Sequence, residues 1–71
     1  MAIHRQLALC MRLRTLRTMR NLSQGDVASA LGVSQAAYSR LETGETEVSF
    51  TKLLDIAQFY NISVVKLIQD L

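Results

Sequence analysis

The feature that most constrains this chain is Gly32, set between two short runs of helical apolar spacing within Gln24–Thr43, QGDVASALGVSQAAYSRLET. Ser23 precedes the first run and Asp26 follows three residues later, the spacing of a capping box. Val27, Ala28 and Leu31 then share one face at i, i+1 and i+4. Gly32 can enter the left-handed region without a Cβ clash, which ends a helix there. Beyond it Val33 is apolar, Ser34 can cap a second helix, and Tyr38 and Leu41 face inward together at i, i+3. Gly44 offers the next stop. The pattern predicts two short helices at a steep angle, with Ala28 where they approach closely. A unit of this kind sets its second helix in the DNA major groove; an ordinary helical hairpin is the alternative.

The flanking residues extend an all-helical reading. Leu9, Leu13 and Leu16 form a stripe at i, i+4, i+7, so about residues 6–20 read as one amphipathic helix, with residues 1–8 extending it or forming an arm. Asn21 suits a left-handed helix end. After a polar loop, Glu45-Thr46-Glu47, Ser49 is placed to cap a helix over about 50–60. Its core stripe is Leu53, Ile56, Ala57 and Tyr60, widened by Phe50, Leu54 and Phe59. Asn61 ends it. Ser63 caps a last helix through about Asp70, with Val64, Leu67, Ile68 and Leu71 apolar and one of Val64-Val65 left outside the core. The expected fold is a single domain over 1–71, an all-α bundle of five helices.

Composition excludes several classes. In 71 residues only a small core can form, and no stretch approaches the ~20 apolar residues of a membrane span. A basic, acid-free amphipathic first helix also fits a membrane surface or transit segment, but its stripe continues into the helices that follow. One cysteine cannot close an internal disulfide and suits a reducing cytoplasm. Cys10 reads as packing and His4 as a solvated side chain; no further cysteine or histidine exists to build a zinc site. No nucleophile–base pair or phosphate-binding glycine loop is evident, which argues against an enzyme, a cofactor or a small-molecule ligand. Net charge is +2 but lopsided: residues 1–40 hold six arginines against Asp26, and residues 41–71 hold five acids against Lys52 and Lys66. That asymmetry suggests one surface for a polyanion.

Several polar residues are placed to serve that surface. Gln24 opens the first short helix, where free amides and the positive dipole end favour a phosphate; its amide can join them or brace a neighbour. Gln35 can pair bidentately with adenine, Ala36 can lie beside a thymine methyl, and Arg40 can read guanine or hold a phosphate. Arg40 shares a face with Ala36 at i+4, and Ser39 lies one turn after Gln35.

The ordered set Leu13, Leu16-Arg17, Leu22-Ser23-Gln24, Val27-Ala28, Leu31-Gly32-Val33-Ser34-Gln35, Ser39-Arg40-Leu41-Glu42 and Gly44, with Leu53-Leu54 and Ile56-Ala57, resembles the phage repressor/Cro-type helix-turn-helix family (XRE-type DNA-binding domains). The likeness covers about residues 9–68. It implies a lambda-repressor-like domain of a small transcriptional regulator, bacterial or phage-encoded, cytoplasmic and associated with the nucleoid. It further implies that Gln24, Ser34, Gln35, Ala36, Ser39, Arg40 and Thr43 touch double-stranded DNA. Glu42, poorly placed at a helix C-terminus, would pair with Arg17. Relatives bind DNA as two-fold dimers, and the surplus apolar residues Phe59, Val65, Ile68 and Leu71 are the expected homodimer contact. Two departures stand out: Glu45 and Glu47 where relatives are often basic, and Phe59 and Val65 where they carry small or polar residues. A helical protein-interaction module that does not read DNA is the competing reading.

Overall fold

Four serines start four helices. Ser23, Ser34, Ser49 and Ser63 each hold extended backbone and accept a hydrogen bond from the backbone N–H three residues on. A computed structural model describes the backbone of residues 2–71 and the side chains of residues 6–71. The helices are α1 (Ala2–Met19), α2 (Gln24–Leu31), α3 (Gln35–Thr43), α4 (Phe50–Tyr60) and α5 (Val64–Ile68). No strand occurs among the described residues. Left-handed residues close α1, α2, α3 and α4: Asn21 (φ 56°), Gly32 (φ 72°), Gly44 (φ 84°) and Asn61 (φ 56°). Residues 2–8 extend α1 rather than forming an arm. The expectation for the His4 side chain lies outside the described residues.

Two apolar clusters meet at the middle of the chain. Leu13, Ile56, Ala57, Tyr60 and Leu67 join α1, α4 and α5. Val27, Ala28, Tyr38 and Leu41 join α2 to α3. Leu22, Leu31, Val48 and Phe59 pack against both, so the helix-turn-helix is fastened to the rest of the bundle by shared side chains. Ala28 is buried between α2 and α3, as close helix approach requires.

Three sequence expectations are corrected. Phe50 and Leu54 do not widen the core; both are exposed. At about 100° per residue, Leu54 and Phe59 fall on opposite flanks of the α4 stripe, and Ala30 and Leu31 of α2 lie beside the Phe59 flank. The last helix stops at Ile68 instead of Asp70. Arg12 Nη1 donates to the Leu67 carbonyl (3.1 Å) and the Gln69 carbonyl (2.6 Å), drawing the end of α5 onto α1. Gln69 is then extended and Asp70 turns left-handed (φ 62°).

Candidate nucleic-acid interface

The α2 capping box is complete: Ser23 Oγ accepts from Asp26 N, and Asp26 Oδ2 accepts from Ser23 N. Gly32 turns the chain, and its N–H and that of Val33 return to carbonyls of the last turn of α2. These local bonds fix the angle at which α3 leaves α2. On α3, Tyr38, Leu41 and Glu42 are buried, while Gln35, Ala36, Arg40 and Thr43 are exposed and Ser39 is half-buried. Ser34 is exposed too, with its hydroxyl oxygen committed to the cap. The Thr43 hydroxyl donates back to the Arg40 carbonyl (3.3 Å), closing the end of α3. One face of α3 is thus a polar ridge and the other is core.

Beneath the ridge lies a buried ionic joint. Arg17 Nε donates to Glu42 Oε2 (2.7 Å), Nη2 to Oε1 (3.1 Å), and Nη1 to the Leu22 carbonyl (3.0 Å). Gln24 Nε2 also donates to Glu42 Oε1 (3.2 Å), so its side chain braces α3 instead of standing free. Burial alone would raise the Glu42 carboxyl, but the Arg17 guanidinium, helped by Gln24, holds it below the usual range. The Tyr38 and Tyr60 hydroxyls are buried and meet no hydrogen-bond geometry. Burial pushes both phenols up, and the nearby Glu42 charge adds to the effect.

Several of the described arginines are engaged within the fold. Arg12 and Arg17 are tied down as described, and Arg20 lies over the Tyr60 ring (5.3 Å to the centroid) with Nη2 near the Tyr60 carbonyl (3.5 Å). Among the described arginines, Arg14, Arg20 and Arg40 are exposed, Arg20 while resting on the Tyr60 ring. Arg14 Nε stands 3.8 Å from Glu42 Oε1 with 60% of its side chain open, beside the start of α2.

A helix-turn-helix family model matches residues 13–67, which contain the α2–Gly32–α3 unit and the helices that brace it. The chain belongs to the helix-turn-helix family. Within it, the chain is similar to the cryptic phage CTXphi transcriptional repressor RstR of Vibrio cholerae, 30% identical over 59 residues, covering 83% of this chain and 53% of that protein. It is also similar to the HTH-type transcriptional regulator DdrOP3 of Deinococcus deserti, 41% identical over 61 residues, covering 86% of this chain and 47% of that one. The chain spans about half the length of these curated relatives. No solved structure matches it significantly. The family is one of DNA-binding regulators of the repressor/Cro type, not of enzymes.

Measured on this helix-turn-helix frame, the structure brings Gln35, Ala36 and Arg40 onto one exposed ridge and sets Arg17, Glu42 and Gln24 together behind it. Arg14 is the neighbour that sequence reasoning passed over; its proximity to Gln24 arises only from the crossing of α1 and α3. The four apolar residues expected at a dimer contact separate. Phe59 is half-buried and stacks edge-to-face on Tyr60 (4.9 Å between centroids), so it serves the core. Val65 is 71% exposed and Ile68 40%, and Leu71 lines clefts against α1 on both its sides. Among the described residues no helix is long and apolar enough to cross a membrane, and no cluster of His, Cys, Asp and Glu is arranged to hold a metal.

Proposed function

We propose that this protein binds double-stranded DNA sequence-specifically as a small transcriptional regulator in the cytoplasm, with α3 in the major groove. The exposed ridge of Gln35, Ala36 and Arg40, backed by the buried Tyr38, Leu41 and Glu42, carries the reading. Those three side chains offer an amide for adenine, a methyl contact for thymine and a guanidinium for guanine. Ser39 and Thr43 lie on the same face, between Gln35 and Arg40 around the helix. Ser34 and Gln24 stand at helix N-termini, where backbone amides favour phosphate, and Arg14, near Gln24 at the Glu42 carboxylate, adds a cation. Both relatives carry regulator names, one of them a phage repressor.

One recognition helix covers too few base pairs to address a single genomic site, so the working unit is a homodimer on a two-fold operator. Val65, Ile68 and Leu71 supply its contact, joined by Met11, which is 70% exposed on α1 and shares a cleft with Leu71. The competing reading, a helical module that binds protein alone, draws on the described arginines engaged within the fold and on exposed Glu45 and Glu47 beside α3. Selection from a random duplex pool separates the two. The parent should enrich one motif, and Gln35→Ala and Arg40→Ala should each relax it at one position, at ~1–3 kcal/mol on the best site. No enrichment by the parent would rule DNA reading out.

A further inference from the structure

Gly25 occupies the second position of α2, in ordinary helical backbone, where no turn or left-handed angle requires glycine. Alanine would favour the helix more. What alanine would disturb is Gln35. A Cβ on Gly25 would stand 3.2 Å from Gln35 Oε1, 3.9 Å from Gln35 Cδ and 3.7 Å from Ser23 Oγ. The Gln35 carboxamide therefore lies back across the first turn of α2, its oxygen in the space a side chain would fill. That turn presents the N–H groups of Gln24 and Gly25, which have no intrahelical acceptor. An exposed glutamine at the head of α3 would otherwise sample many rotamers, and fixing it beforehand lowers the entropy lost on binding.

We infer that Gly25 is a specificity-determining residue: by leaving its Cβ space empty, it seats Gln35 against α2 and so fixes which base edge Gln35 reads. The inference rests on the DNA-reading proposal above and names a residue that acts through Gln35 without itself meeting a base. Because Gln35 is exposed and its far end can swing aside, Gly25→Ala keeps the fold and raises the unfolding midpoint. Its effect belongs to recognition.

The experiment is selection from a random duplex pool with four proteins: parent, Gly25→Ala, Gln35→Ala and the double variant. Gly25→Ala should weaken the preference at the one position that Gln35→Ala also weakens, by about fivefold or more. It should change nothing further once Gln35 is absent. An undiminished motif for Gly25→Ala would overturn the inference, as would a motif insensitive to Gln35→Ala. A uniform loss of affinity from Gly25→Ala in both backgrounds would also overturn it, since a methyl would then be meeting the DNA backbone directly. If the parent enriches no motif, the DNA-reading proposal fails as well, whereas the other adverse outcomes leave that proposal standing.

Discussion

Arg17 grips both oxygens of Glu42, at 2.7 and 3.1 Å, across 25 residues of chain. The Glu42 side chain is fully buried, and that of Arg17 is 14% exposed. This joint attaches the end of α3 to α1 and occupies the carboxylate that would otherwise oppose the α3 dipole. With Gln24 on the same oxygen, α1, α2 and α3 all converge on one acid. The exposed ridge is held from behind by that convergence.

The two halves of the joint should not be equivalent. Arg17→Met strands a buried carboxylate and should cost about 3–5 kcal/mol. Glu42→Gln leaves Arg17 a partly exposed cation still bonded to the Leu22 carbonyl, and should cost less. The double variant should cost less than the sum of the two. Urea unfolding of the four proteins measures this cycle; strict additivity would contradict the joint.

Acid should weaken the joint in a defined window. Glu42 in the folded chain sits below its ordinary value, so its contribution is complete above the unfolded-state pKa, near about 4.3. It is lost as pH falls through the lower folded value, when the carboxylate takes up a proton and releases Arg17. Asp26 is likewise lowered by its bonds to Ser23, so some acid dependence remains without Glu42. Thermal unfolding from neutral pH downward should therefore fall less steeply for Glu42→Gln than for the parent. Parallel curves would mean that Glu42 is not the titrating group.

The fold was legible where the chemistry is local. Ser23 with Asp26, Gly32, Asn21 and Asn61 each announce a helix boundary through a bond or a backbone angle that one or two residues decide. Side-chain partnerships across the chain were less legible. The resemblance supplied Arg17–Glu42; spacing alone did not. Nothing near Arg12 signals that it will end α5, because its acceptors lie 55 and 57 residues away. Composition likewise counts Arg12, Arg17 and Arg20 as cations for a polyanion, while folding commits each of them to carbonyls, a carboxylate or a ring. Phe50 and Leu54 satisfy a helical stripe by period, yet no neighbour covers them.

That commitment of arginines sets the expected salt dependence. If Arg14 on a phosphate and Arg40 in the groove are the cations that displace counterions, binding should fall with salt at a logarithmic slope of about −2 per protomer and about −4 for a two-fold complex. Glu45, exposed beside α3, opposes the same phosphates. Glu45→Lys should steepen the slope by about one per protomer without altering the selected motif. Titrations at several salt concentrations decide it. A parent slope far steeper than about −4 would mean that other cations carry the contact.

The dimer contact can be tested at a position the monomer does not use. Val65 is 71% exposed, so Val65→Glu should change the monomer's unfolding free energy by no more than about 0.5 kcal/mol. In a dimer the same carboxylate would be buried without a partner, which is costly. The variant should therefore sediment as a monomer with its helical content kept, and should lose affinity for an operator with two half-sites about 34 Å apart. Binding to an isolated half-site should be unchanged. Phe59→Ala is the contrast: Phe59 packs against both core clusters, so its loss should lower the unfolding midpoint. A parent that sediments as a monomer at micromolar concentration, and forms no two-fold complex on DNA, would rule the contact out.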